Sequence, residues 1–217
     1  MPKIGPERKA ARRRQFVLAA RELAAERGYR GVTVDDVCTR AGLSKGAFYG
    51  YFEAKQDLLQ AILDEEVAEV DELLTALEGI GDLQLEKVRT FLRTMVLRGQ
   101  DPAEVQLRAE LWSQVASDPA ARDRMAEVVR SRRVRLASFA SKGAESREMV
   151  EVPANAFGAI LVALVDGLLL HYSVDPAGFR WENIRKVIDI LLDRLSLETH
   201  DEPVLRAARP VPAGAEE

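Results

Sequence analysis

Apolar residues recur at spacings of three and four along almost the whole of this 217-residue chain. Nowhere do they alternate with polar residues between hairpin turns, so the chain is constrained to fold as packed helices. Phe16, Ala20 and Leu23 mark the inner face of a first helix over 7–27, which Gly28 stops. Two short helices follow. Thr33 and Asp36 fit a capping box ahead of Val34, Val37 and Cys38, Gly42 ends that helix, and Ser44 caps the next one over 45–51. Longer helices are predicted over 55–77, 83–98, 102–117, 119–139, 153–172 and 181–197. Gly79 and Gly81 break the first of these, and Asp82 is placed to cap the second. Asp101-Pro102 and Asp118-Pro119 each set a capping acid before a proline at the first helical position. The polar stretch 141–151 reads as a loop, and Asp175, Pro176 and Gly178 make a turn. The expectation is an all-α fold of about nine helices. It has a three-helix head over 7–54, a helical body over 55–197 and a tail over 198–217. That tail has three prolines and no periodicity, and disorder is expected there.

Composition excludes several classes. Cys38 is the single cysteine, so no internal disulfide can form and a reducing, cytoplasmic setting is expected. With two histidines besides, the ligand count is too low for a typical structural zinc site, and no metal or cofactor is expected. No nucleophile stands beside a plausible base and no glycine loop suits a phosphate, so no catalytic residues are assigned and an enzyme is not expected. The most apolar stretch, 156–170, is shorter than the roughly 20 residues a membrane span needs. Asp166 interrupts it, so it reads as a buried core helix with no membrane partner, and no signal peptide is visible. Asp166 and His171 are polar groups in apolar company and must be paired or functional.

The net charge of −4 hides an asymmetry. The first 55 residues hold 12 Lys/Arg against 6 Asp/Glu, and the remainder 19 against 29. A basic head on an acidic body suggests that the head alone meets a polyanion. Within that head, two short helices joined by Ala41-Gly42-Leu43-Ser44 have the form of a helix-turn-helix, with Gly42 supplying the positive φ of the turn. Phe48 and Phe52, four apart, would pack inward and leave Lys45, Gly46, Tyr49 and Gly50 on other faces. Two glycines weaken so short a helix, which points to close approach by another surface.

Residues 10–62 resemble the DNA-binding domain of the tetracycline-repressor (TetR) family. The resemblance rests on Phe16, Ala20 and Leu23, on Gly28-Tyr29 and Thr33, and on the run Ala41-Gly42-Leu43-Ser44-Lys45-Gly46. Phe48-Tyr49, Tyr51-Phe52, Lys55, Asp57 and Leu58 complete it. Cys38 and Ala54 depart from the pattern, standing where a small alanine and a capping residue are usual. The resemblance implies a transcriptional regulator, a repressor first, that binds a palindromic double-stranded DNA operator. In that role Thr33, Ser44, Tyr49, Tyr51 and Lys55 would contact phosphates, while Lys45, Gly46, Ala47 and Gly50 would face base edges. Arg12, Arg13 and Arg14 are read as a basic arm reaching the adjacent groove or backbone. Ala54 is a poor cap and Lys55 opposes the helix dipole, so a phosphate partner would explain the lysine.

One helix-turn-helix reads too few bases alone, so a homodimer is expected. Its interface is assigned to the last two helices, through Phe157, Ile160, Leu161, Leu164, Val165 and Leu168 and then Ile184, Val187, Ile188, Leu191, Leu192 and Leu195. Gly158 and Gly167 would allow close approach. The resemblance further implies a small-molecule effector, unidentified and largely apolar, with Phe91, Met95, Leu111, Trp112, Val115, Phe139 and Leu161 as candidate liners. An activator, or a structural DNA-binding protein with no effector, stays open on the residues alone.

Overall fold

The computed structural model describes residues 5–197, apart from 82 and 118. Among them are nine α-helices and no β-strand. The predicted caps Asp82 and Asp118 and the tail 198–217 lie outside the described residues. The head comprises α1 (Pro6–Arg27), a single 3-10 turn at Tyr29–Gly31, α2 (Val34–Ala41) and α3 (Lys45–Tyr49). The body follows as α4 (Lys55–Gly79), α5 (Gln84–Arg98), α6 (Pro102–Ser117), α7 (Pro119–Glu145), α8 (Ala154–Val174) and α9 (Trp181–Asp193).

Two apolar cores form, and α4 belongs to both. In the head, Phe16, Phe48 and Phe52 meet in edge-on and tilted pairs with ring centroids 5.2–6.1 Å apart. Offset and edge-on geometry suits the ring quadrupoles, and full burial of each ring stabilises by roughly 1.5–3 kcal/mol. Leu58, Leu59, Ile62 and Leu63 of α4 close this core from below, joined by Leu107 of α6. Further along the same helix, Val70, Leu74 and Leu77 enter the body core with Leu92, Leu136 and Phe139. The α4 helix therefore cannot move without disturbing both.

Three boundaries differ from the sequence expectation. The α7 helix runs through the polar stretch to Glu145 because Gly143 leaves room for Met149, whose sulfur a Cβ there would meet at 2.7 Å. Arg147 then takes a left-handed φ of 60° and turns the chain. The α9 helix stops at Asp193, four residues early, because the following segment pairs with the α7–α8 loop. Val150 N donates to the Leu195 carbonyl at 2.9 Å, and Leu197 N donates to Glu148 O at 3.1 Å. Finally, α8 has 21 residues and is long and apolar enough to cross a membrane by length and composition. It nevertheless packs against α7 through buried Phe157, Leu161, Val162 and Val165, as a core helix does. Arg89, itself buried, fastens α9 to α5 through Asp189 (2.8 Å) and Asp193 (2.6 Å).

The α7–α8 contact is close because Gly158 has no side chain: a Cβ there would overlap the Arg133 carbonyl oxygen of α7. Gly158→Ala should therefore cost roughly 1–3 kcal/mol by forcing the two helices apart. Urea denaturation measures it, and a wild-type midpoint would show that the backbones yield freely.

Candidate nucleic-acid interface and body cavity

The helix-turn-helix is built by local hydrogen bonds. Thr33 Oγ1 accepts from Asp36 N (3.2 Å), while the Asp36 carboxylate accepts from Thr33 N (2.9 Å) and from the Thr33 hydroxyl (2.6 Å). Arg27 pairs with the same carboxylate at 2.6 Å. The Arg27 guanidinium first, and then the Thr33 bonds, hold Asp36 far below the ordinary carboxylate range. Gly42 takes the left-handed conformation at φ 65° that makes the turn. Ser44 Oγ accepts from Ala47 N at 3.1 Å and opens α3.

That helix has five residues and ends at Tyr49, so Tyr51 lies beyond it. Phe48 is fully buried beneath it, whereas Lys45, Gly46, Tyr49 and Gly50 are exposed, with Tyr49 at 58%. A Cβ on Gly46 would meet only Ser44 Oγ, at 3.9 Å, so no packing within the chain calls for glycine there. Lys45 is exposed but not idle: its ammonium pairs with Asp35 of α2 at 2.6 Å. Ala47 is half-buried against the head core, and Tyr51 likewise, its ring 6.0 Å from that of Phe16.

Arg12, Arg13 and Arg14 lie within α1, inside the helix expected over 7–27, and Arg13 stacks over the Phe52 ring at 5.5 Å. Lys55 does have an internal explanation. Its ammonium donates to the Tyr29 carbonyl at 2.6 Å and to Arg30 O at 3.3 Å, and it sits 4.5 Å over the Tyr29 ring. The Tyr29 hydroxyl in turn donates to Lys55 O at 2.6 Å. The missing cap at Ala54 is supplied by Asp57, which accepts from Glu53 N (2.8 Å) and Ala54 N (3.0 Å). Asp57 stands three residues after Ala54, so that half of a capping box was visible in the sequence. The Lys55–Tyr29 latch spans 26 positions and was not.

In the body, most of the described residues expected to line a pocket are packed in the core. Phe91, Met95, Phe139 and Leu161 are buried in the body core, and Val115 is half-buried and lines no cavity among those resolved. The Leu111 side chain lies outside the described residues. Among the described candidates Trp112 lines a small cavity of about 30 Å³, room for one or two waters. Its wall is half charged: Glu66 of α4, Arg108 of α6, Arg132 of α7 and Asp166 of α8 face apolar Leu63, Val67, Met125, Val128 and Val129. Glu66, only 4% exposed, lies 3.3 Å from Arg108 and 3.5 Å from Arg98. Burial pushes its carboxyl up against the pull of Arg108, and the neighbouring Glu104 adds to the rise. Asp166 finds its partner within the chain, in Arg108 at 3.8 Å, and burial raises its carboxyl as well.

These groups begin a series of ion pairs that reaches the head. Arg98 joins Glu66, Glu69 (2.7 Å) and Glu104 (3.5 Å), and Arg21 of α1 joins Glu69 (3.2 Å) and Glu104. No local sequence pattern flags it, because its members are contributed by α1, α4, α5, α6 and α8.

The residues assigned to an interface divide in two. Phe157, Leu161, Ile188 and Leu192 are buried in the chain's own core, and Leu164, Leu168, Ile184 and Leu195 pack partly on it. Val187 and Leu191 are exposed, together with Ile160, Leu170, Val174 and Ile190. Gly158 serves α7 and not a partner, whereas nothing lies within 4 Å of a Cβ on Gly167. The α8 and α9 helices thus carry bare apolar stripes beside their buried ones.

Residues 16–62 match the family model described as bacterial regulatory proteins, tetR family, and residues 84–197 match that of the BetI-type transcriptional repressor, C-terminal. The chain is 28% identical over 186 residues to the HTH-type transcriptional repressor AcnR of Corynebacterium efficiens, covering 82% of this chain and 89% of that protein. It is 30% identical over 178 residues to the HTH-type transcriptional regulator BetI of Escherichia coli, covering 79% and 86%. A TetR transcription regulator from Haloarcula marismortui superposes with a TM-score of 0.76 at 19% identity, over 86% of this chain and 99% of that one. A transcriptional regulator from Saccharomonospora viridis in complex with choline does so with 0.72 at 22% identity, over 85% and 96%.

Two predictions follow from the head geometry. Gly46→Ala should stabilise the free protein by about 0.5–1 kcal/mol yet weaken DNA binding measured by fluorescence anisotropy. Undiminished binding would dismiss close approach at this glycine. Lys55→Ala should lower stability by about 1 kcal/mol without any DNA present, since two carbonyls lose their donor. An unchanged urea midpoint would return Lys55 to a purely external role.

Proposed function

The chain belongs to the TetR family of transcriptional regulators, and on that premise we propose that it is a homodimeric, cytoplasmic repressor released from a palindromic operator by a small-molecule effector. The observation that carries the DNA-binding part is the bare face of α3. Lys45, Gly46, Tyr49 and Gly50 are exposed above a fully buried Phe48. Lys45 is the residue assigned to base reading, donating to guanine O6 and N7 once it leaves Asp35. Thr33, Ser44, Tyr49 and Tyr51 are assigned to phosphates, with Lys55 using its remaining N–H. Gly46, Gly50 and Ala47 lie at the base edges and contribute shape more than hydrogen bonds. Selection of bound sequences from random DNA tests the reading: two half-sites at fixed spacing are expected, and a lone asymmetric site would reject the dimer.

The bare stripes on α8 and α9 support self-association, since exposed apolar residues at helical spacing on two neighbouring helices suit a four-helix interface. The series of ion pairs between cavity and head, and an α4 shared by both cores, support release by ligand. A bound effector shifts the two heads only as far as it prefers the spacing that does not fit DNA. The relatives named as repressors favour repression.

Ile160, 63% exposed, and Leu191, 59% exposed, lie outside the monomer core. The double variant Ile160→Glu/Leu191→Glu should remain helical and folded but sediment as a monomer, with operator affinity reduced by at least about tenfold, which corresponds to 1.4 kcal/mol. Dimers persisting at micromolar concentration would reject this face.

A further inference from the structure

Four charged side chains around a cavity of about 30 Å³ are an expensive arrangement unless each has a partner. Three do. Arg108 holds both Glu66 and Asp166. Arg132 does not: its Nε is buried without a hydrogen-bond partner, and it makes no ion pair among the described residues. The carboxylates that attract it are held elsewhere: Glu66 by Arg108 and Arg98, Asp166 by Arg108, and Asp71 by Arg135. The group short of a hydrogen-bond partner is therefore a cation.

Resting on the effector reading above, we propose that this cavity takes a small carboxylate with an apolar body, its carboxylate on the Arg132 guanidinium and its hydrocarbon against Leu63, Val67, Met125 and Val129. A guanidinium fork matches a carboxylate bidentately, and the apolar half of the wall has no other use for so polar a neighbour. The cavity as it stands is too small for such a molecule. Room comes from Trp112, which is partly exposed and also lines a second void of about 10 Å³ beside Arg108 and Asp166. Binding requires that ring to turn outward and join the two voids. The opposite chemistry, a quaternary ammonium against Trp112, Glu66 and Asp166, is the competitor. It would leave Arg132 still unpaired and place a third positive charge beside two guanidinium groups.

The test uses the full-length protein with benzoate, hexanoate, decanoate and choline, at constant ionic strength against chloride. Calorimetry reads binding, and anisotropy reads affinity for a selected operator fragment. At least one carboxylate should bind with a Kd below about 1 mM and weaken operator affinity by a factor of roughly 5 to 150. Choline should do neither. Arg132→Met should melt no lower than the wild type, since it removes a half-buried charge with no ion-pair partner among the described residues, and should lose carboxylate binding by at least about tenfold. Arg132→Lys keeps the charge without the fork and should bind in between. Carboxylates that bind Arg132→Met as tightly as the wild type, choline binding in their place, or no binding by any carboxylate would each overturn the proposal. Binding abolished by Arg132→Met that leaves operator affinity unmoved would uphold this site and overturn release by ligand instead.

Discussion

The α4 helix is the member on which both halves of the molecule depend. Its first turns fill the floor of the head core through Leu58 and Ile62, and its last turns fill the body core through Leu74 and Leu77. Between them, where an unbroken apolar stripe would have fused the two cores, stands Glu66. A carboxyl there cannot be left dry and unpaired, so it draws Arg98, Arg108 and Glu104 around it. The seam between head and body is consequently polar. Polar seams exchange partners, whereas packed apolar ones resist change with the full cost of a cavity.

The head spends little on direct readout. Two of the four exposed positions on α3 and at its end are glycines, and the single long cation there is paired with Asp35. Base reading by Lys45, as proposed, would have to break that pair, though an exposed pair of this kind is worth only about 0–1 kcal/mol. In that reading Asp35 would remain close to the groove, where a carboxylate repels phosphate and accepts from a cytosine amine. Discrimination by rejection suits a face that makes few attractive base contacts.

The head was legible in the sequence because its determinants are local. A capping box, a left-handed glycine, a second cap and a pair of phenylalanines four apart all act within one or two turns, and each lies within a residue or two of its expected place. The body was legible as helices and less so as surfaces. Periodicity marks Ile188 and Leu191 alike as apolar, but only the packing of α5 against α9 decides that Ile188 turns inward and Leu191 outward. The small charged cavity was not legible for a related reason. Hydrophobicity located where the chain is dry, whereas the empty space lies where charged side chains from four helices keep each other from packing closely. Arg108 and Asp166 are 58 positions apart, and neither looks unusual until both are buried. Lys55 shows the converse error. Charge at a helix start is unfavourable by local rules, yet two backbone carbonyls from the Tyr29–Gly31 turn repay it.

The magnitude of the seam is suited to control. A regulator needs a coupling of roughly 1–3 kcal/mol between ligand and operator. A single buried pair broken outright would cost about 3–5 kcal/mol and threaten the fold. The series from Asp166 through Arg108, Glu66, Arg98 and Glu104 to Arg21 lies between exposed and fully buried, with Arg21, Arg98 and Glu104 each retaining some solvent contact. When Arg108 gives up one carboxylate, Glu66 still has Arg98, and Arg98 still has Glu69. Each exchange leaves every charge with some partner, so no step forfeits a whole desolvation energy. What changes is which helix holds which, and Arg21 at the end of the series is part of the head itself, on the same helix as Phe16 and five residues from it.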